Sequence, residues 1–289
     1  MAGLILIILI AGCVHSTAYK DHLSQITTVA EEEIFDMKAS EITDRDIASA
    51  SFGGHLFKAG MMVGGPHLFF GKSFPDCATV AVSGEDYARE IIIHYIEACA
   101  EPSGMVRSGT ITLVMTDTIL NKGAVCTATS KDFSFGKKDV EKTLVVTNEG
   151  VNEQGHWIMT FQSISATRFQ NDGELISFNR DYSGQKEWLS GFETPDVEDD
   201  QFLLTGAGTI LLNEEIMYHR KITEPLLMDR SCVFPLRGII QINKDRDTLM
   251  INFGEGVCNN KAEARINGAY AELDLERGRI RNGFQKQQR

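Results

Sequence analysis

Acidic side chains crowd most densely into Glu193-Thr194-Pro195-Asp196-Val197-Glu198-Asp199-Asp200. Calcium takes roughly six to eight hard oxygens in flexible geometry, so Glu193, Asp196, Asp199 and Asp200 form a candidate calcium loop. The loop has neither the EF-hand spacing nor its glycine, and the competing reading is a solvated loop in which Asp199 and Asp200 cap the next strand. Trp157 and Trp188, with Tyr182 and Phe192 near them in sequence, are the candidate ligand-binding residues, as a platform on which a sugar could stack. Aromatics at strand spacing also fill sandwich cores, and the exposure of the rings separates the two roles.

Other chemistries find less support. The histidines His15, His22, His55, His67, His94, His156 and His219 show no i, i+4 or i, i+2 pairing, and the cysteines form no C-x-x-C, so no structural zinc site is expected. There is no G-x-S-x-G elbow for a serine hydrolase, and Ser183 and Ser190 are explained as turn residues. Carboxylate pairs for glycoside cleavage can come from any two strands, which sequence spacing does not test. Gly71-Lys72-Ser73 closes a glycine-rich stretch in the manner of a phosphate-binding loop, but Pro66 stands where the first glycine is required. No catalytic residue is assigned. A binding or structural role is expected, toward a glycan or an envelope protein; the alternatives are an exported glycan or peptide hydrolase, or an adhesin-like assembly subunit.

The elements that would position these residues follow from patterning. The chain opens MAGLILIILIAGC, an apolar run too short to cross a bilayer but suited to the hydrophobic core of an export signal. Ala11 and Gly12 directly before Cys13 resemble the lipobox of bacterial lipoproteins, which implies cleavage after residue 12, acylation of Cys13 and a membrane anchor. The expected location is the cell envelope, as an outer-membrane lipoprotein on either the periplasmic or the surface side. Hydrophobic residues make up 43% and charged residues 24% of the 289, a globular balance. The net charge of −12 argues against nucleic-acid phosphates as a partner.

Residues 13–50 read as a polar tether with one short amphipathic helix, and 51–76 as a lead-in rich in glycine and phenylalanine that carries a loose duplication around His55 and His67. From Cys77 the pattern turns to short alternating or apolar runs, at 78–82, 90–96, 109–116, 142–147, 156–167, 174–181, 202–212, 216–223, 232–242, 248–253, 262–266 and 269–275. Asn171-Asp172-Gly173, Asn267-Gly268 and similar pieces supply turns. Strands without intervening helices mean an all-β domain over 77–276, either an antiparallel sandwich or a strongly curved meander sheet, with 277–289 as a polar tail.

Ile93-His94-Tyr95-Ile96-Glu97-Ala98-Cys99 parallels Ile251-Asn252-Phe253-Gly254-Glu255-Gly256-Val257-Cys258, and each follows another cysteine, Cys77 or Cys232. Two similar β units framing a hairpin-rich insert would explain this. Five cysteines beyond Cys13 suit two bridges and one leftover thiol in an oxidising compartment; spacing leaves the pairing open, and Cys77–Cys99 with Cys232–Cys258 is the economical choice.

From Cys77 to Leu275 the chain resembles a family of uncharacterised all-β lipoproteins and secreted proteins of Bacteroidota-type bacteria. The resemblance rests on Cys77-Ala78-Thr79-Val80, Cys99 with the Gly104 to Gly109 turn, Val146-Thr147-Asn148, Trp188-Leu189-Ser190-Gly191, Thr194-Pro195, Asp199-Asp200 and Thr205-Gly206. It continues through Asp229-Arg230-Ser231-Cys232 and the tail from Phe253 to Ala262. It implies an all-β fold and an envelope location, without an activity. Cys126 departs from the pattern by placing a free thiol in a central strand.

Overall fold

The computed structural model describes residues 5–56, 77–84, 90–100, 105–194 and 196–286; side chains are described from 24 to 51 in the first stretch and for all but 282 and 286 in the last. The lead-in over 57–76, with Gly71-Lys72-Ser73, lies outside the described residues. The strands form one antiparallel sheet of 14, in which each strand pairs with its neighbours in sequence. They are β1 (Ala78–Ser83), β2 (Glu90–Ala100), β3 (Val106–Met115), β4 (Val125–Phe135), β5 (Lys138–Val151), β6 (Trp157–Asn171) and β7 (Glu174–Ser190). After a single 3-10 turn at Val197–Asp199 come β8 (Gln201–Leu212), β9 (Ile216–Asp229), β10 (Arg237–Lys244), β11 (Asp247–Glu255), β12 (Lys261–Ile266), β13 (Ala269–Asp274) and β14 (Arg279–Lys286). The all-β class and the curved meander hold. The two cysteine-bearing units and the hairpins between them are one uninterrupted ladder.

The tether region differs from the sequence expectation. A helix, α1 (Ile5–Leu56), runs for 52 residues across Cys13 and on into the fold, where a short helix was expected. No proline interrupts the sequence before Pro66, and alanine and glutamate recur through the helix, which favours a long helix. Periodicity underestimates it because α1 has no single apolar stripe. From Gln25 to Ser51 no side chain is exposed, so every face of the helix is covered and none had to be uniformly polar.

The sheet supplies that cover. Partners of α1 come from β2, β3, β5, β7, β9 and β14, so the sheet curls around the helix, with β1 and β14 left as its two edges. Bulges help it bend, because an extra residue in one strand raises local twist and curvature. One lies between Ser108 and Thr110, facing another between Thr129 and Ser134. Gly109 there has φ +103°, and a Cβ would stand 2.2 Å from the carbonyl oxygen of Asp132, so only glycine fits.

The first half of the buried helix sends Ile26, Val29, Ala30 and Ile34 into a cluster with Phe178, Ile240, Ile251 and Leu273. The second half sends Ala39, Ile42, Ile47 and Ala50 into another, with Ile91, Ile93, Leu113 and Phe135. The helix thus joins the two ends of the sheet into one core. The bridges Cys77–Cys99 and Cys232–Cys258 each close a hairpin of this sheet, β1–β2 and β10–β11.

Candidate functional site

Charged residues on α1 meet charged residues on the concave face of the sheet. Strand alternation explains the second set: along β7, Phe178, Arg180, Tyr182, Lys186 and Trp188 share one face, and along β9 so do Tyr218, Arg220 and Ile222. A basic side chain placed on the apolar face of a strand must find an anion indoors. Glu33 accepts from Arg220 Nε at 2.7 Å and from the hydroxyl of Tyr182 at 3.2 Å. Arg180 lies 3.8 Å from Asp36, Arg107 lies 2.6 Å from Asp46, and Lys138 pairs with Glu32. Burial works against the charge of Arg220, but Glu33 overcomes it and holds the guanidinium above its ordinary pKa.

Further along the helix the packing opens into a cavity of about 190 Å³ between α1 and β4 to β9. Gly184 of β7 lies opposite Gly206 of β8, on the alternation that faces the helix, so two adjacent strands lack side chains at one level. A Cβ on Gly184 would meet the carbonyl oxygen of Thr205 at 2.0 Å, so the bend itself excludes a larger residue. The walls are mostly apolar: Leu144, Met159, Phe161, Leu204, Ile222 and Met228.

Asp36, Tyr182 and Arg220 of the cluster just described reach the same cavity, and two further polar groups interrupt its walls. In the first, Asp44 of the helix accepts from Lys186 Nζ at 2.7 Å and stands 3.9 Å from Lys142, whose ammonium donates to Ser40 Oγ at 3.0 Å. Burial would raise the pKa of Asp44, but Lys186 and Lys142 together lower it, so it stays ionised. In the second, Arg230 donates to Asp200 at 2.9 Å and lies 3.6 Å from Glu41, which also accepts from Arg45 at 3.1 Å. Burial pushes the Asp200 carboxyl up to about 6, against the pull of Arg230 and the indole of Trp188, with Asp199 and Glu41 adding to the rise. A cavity that combines apolar walls, a few convergent charges and a displaced carboxyl has the character of a ligand site.

The residues singled out from sequence fall in and around this site in different ways. The four acids of the candidate calcium loop do not converge. Glu193 accepts from the indole of Trp157 at 3.1 Å, Asp196 caps the 3-10 turn through the backbone N–H of Glu198, Asp199 accepts from the hydroxyl of Thr194 at 2.8 Å, and Asp200 turns inward to Arg230. Among the described residues no group of three or more His, Cys, Asp or Glu side chains could hold a metal ion, because each of these acids is committed to a different partner. Trp188 is 8% exposed and stacks on Phe202 with centroids 4.9 Å apart; Trp157 is half-buried against Phe192 at 5.0 Å. These rings form a packed aromatic cluster at the rim of the cavity, not a flat exposed platform.

Cys126 lies on the cavity wall as a buried free thiol, and burial pushes its pKa up to about 11. The side chain of Cys13 is outside the described set, while the helix backbone runs through its position.

Asp44, Lys142, Lys186 and Arg230 were not singled out from sequence. The available signal was the basic residue recurring on an otherwise apolar strand face, as at Lys142 before Leu144 and Val146. Asp200 and Arg230 also meet through the main chain, where the Arg230 backbone N–H donates to the Asp200 carbonyl at 3.0 Å. Compared with known families, curated proteins and solved structures, the chain gives no match.

Proposed function

We propose that this chain is a lipid-anchored binding protein of the bacterial cell envelope whose ligand enters the cavity between α1 and the sheet. The cavity carries the reading: about 190 Å³ of mostly apolar space beside buried charge groups. An engineered apolar cavity of about 150 Å³ takes up benzene, so a small organic molecule is the matching scale. The cell-envelope part rests on the lipobox at Cys13 and on two disulfides, which persist in oxidising compartments. Among the described residues no helix is long and apolar enough to cross a membrane, and a lipid on Cys13 would provide the attachment. In that arrangement α1 is the stalk: Cys13 and Ile26, the first fully covered position, are about 20 Å apart at 1.5 Å of rise per residue. The resemblance to envelope lipoproteins supports the same location.

Native mass spectrometry of the full chain, extracted from its own envelope fraction in mild detergent, tests both parts. The expected spectrum has a mature polypeptide starting at Cys13 with acyl mass, and a bound small molecule displaced by the neutral probe ethylbenzene. Ala48→Phe, which projects into the cavity from the helix, should abolish probe uptake while the protein stays folded. Retention of Met1 without acyl mass sinks the anchor, and probe uptake unchanged by Ala48→Phe sinks the site.

A further inference from the structure

The charges around the cavity cancel. Among the described residues its wall carries four carboxylates and four cations, and none of the eight stands alone. Asp44 meets Lys186 and Lys142, Arg230 meets Asp200 and Glu41, Arg220 pairs with Glu33 and Asp36 with Arg180. An ion entering such a site gives up its hydration and finds no net countercharge. To reach Lys142 or Arg230 an anion would have to displace a carboxylate, which would then stay buried and unpaired. The rest of the wall is apolar and soft, with three of the chain's ten methionines, Met37, Met159 and Met228, beside Phe161. Thioether side chains fit irregular shapes and make favourable contacts with aromatic rings. One inward hydroxyl is uncommitted. Ser163 of β6 stands on the alternation of Met159 and Phe161, between Leu144 of β5 and Tyr182 of β7, and its side chain has no partner among the described residues. The other hydroxyls of the wall differ: Ser40 accepts from Lys142, Tyr182 donates to Glu33, Thr194 donates to Asp199, Ser51 meets the Cys126 thiol, and Ser183 is exposed.

From a balanced wall with one uncommitted hydroxyl we infer that the ligand is an uncharged arene bearing a single hydroxyl, a phenol the size of an alkylated benzene ring. The inference rests on the cavity being the binding site. The ring lies among the methionines and Phe161. Its hydroxyl exchanges a hydrogen bond with Ser163, whose own hydroxyl can donate or accept. A carboxylate or an amine of the same shape brings one unmatched charge indoors, and a plain hydrocarbon leaves Ser163 without a partner. A few polar atoms on an apolar wall fix orientation and specificity, and Ser163 supplies that here.

Isothermal titration of the full chain at pH 7.5, where Asp200 is ionised, tests this with four probes of similar shape: 4-ethylphenol, ethylbenzene, 4-ethylbenzoate and 4-ethylbenzylamine. The phenol should bind about five-fold more tightly than ethylbenzene, the scale of one neutral hydrogen bond, and about ten-fold or more tightly than either ion. Ser163→Ala should bring the phenol down to the level of ethylbenzene without changing ethylbenzene, and Ser163→Thr, which keeps the hydroxyl, should retain the preference. The wild-type comparison decides the matter even where a variant fails to fold. If either ion binds as tightly as the phenol, or ethylbenzene matches it, the ligand class is wrong and the cavity remains a binding site. A phenol preference that survives Ser163→Ala overturns the role of Ser163. If none of the four binds, the cavity reading fails along with the ligand class.

Discussion

Two stretches of the same helix meet the same sheet in different ways. Around Glu31 to Asp36 the interior is filled. Glu33 is held by Arg220 and Tyr182, the ammonium of Lys138 sits over the rings of Phe35 and Phe169 at 4.0 and 4.1 Å, and the void beside Phe35 is about 30 Å³. Around Ser40 to Ser51 the interior is open, with about 190 Å³ of space and a lysine pair sharing one aspartate. Ion pairs and shape together seal the first stretch, while the second keeps volume in reserve. A fold needs the first to hold its helix in place; a ligand needs the second.

The largest expected effect comes from removing one partner at the closed end. Arg220→Met leaves Glu33, whose side chain is wholly buried, without its guanidinium, and a buried pair broken in this way costs about 3–5 kcal/mol. Lys142→Met at the open end should cost under about 1 kcal/mol, because its ion contact is long and Asp44 keeps Lys186. Urea unfolding with disulfides intact measures both, and equal losses would erase the contrast.

Adding volume gives the next effect and reverses with position. Ala30→Leu, at a position with no exposure, overpacks the closed end and should destabilise by about 1–3 kcal/mol. Ala48→Leu points into the cavity and should stay within about 1 kcal/mol of the parent. Thermal melting of the two variants side by side would show whether the space is there.

A smaller effect follows from Asp200. Its folded pKa of about 6 lies above the unfolded value of 3.8, so in that interval the native state holds a proton that the unfolded chain has released. This contribution to stability is complete below about pH 4 and is lost as pH rises through 6. Asp200→Asn should flatten the decline between pH 4 and 6 in a series of denaturation curves, and an unchanged slope would place the titration elsewhere. The smallest effect concerns Cys126: with its thiol buried and its pKa near 11, alkylation by iodoacetamide at pH 8 should be slow in the folded chain and fast in urea. A ligand in the cavity should slow it further, since Cys126 lines the wall.

The all-β class was legible in the alternation from Cys77 onward, because a strand that buries one face must repeat every two residues whatever its neighbours are. Cysteines at matching places in two hairpins marked the pairs that the structure bridges. The long helix was hidden by its own burial. Periodicity detects a helix with one wet side, and α1 has none from Gln25 to Ser51. The acids at 193, 196, 199 and 200 looked like a ligand set because they are close in sequence; in the fold each answers to a different neighbour, and only Asp200 reaches the cavity.

What the sequence determined alone is local: strand alternation, turn positions and a helix-favouring run without proline. What tertiary structure decided is which charges share an interior. Glu33 and Arg220, or Asp44 with Lys142 and Lys186, are separated by about a hundred residues or more, and nothing in their spacing pairs them. Their meeting depends on how far the sheet curls around the helix, which is set by every bulge and register along fourteen strands. The open space beside Asp44 is a product of that same curvature, since a volume belongs to surfaces brought together and to no segment of chain.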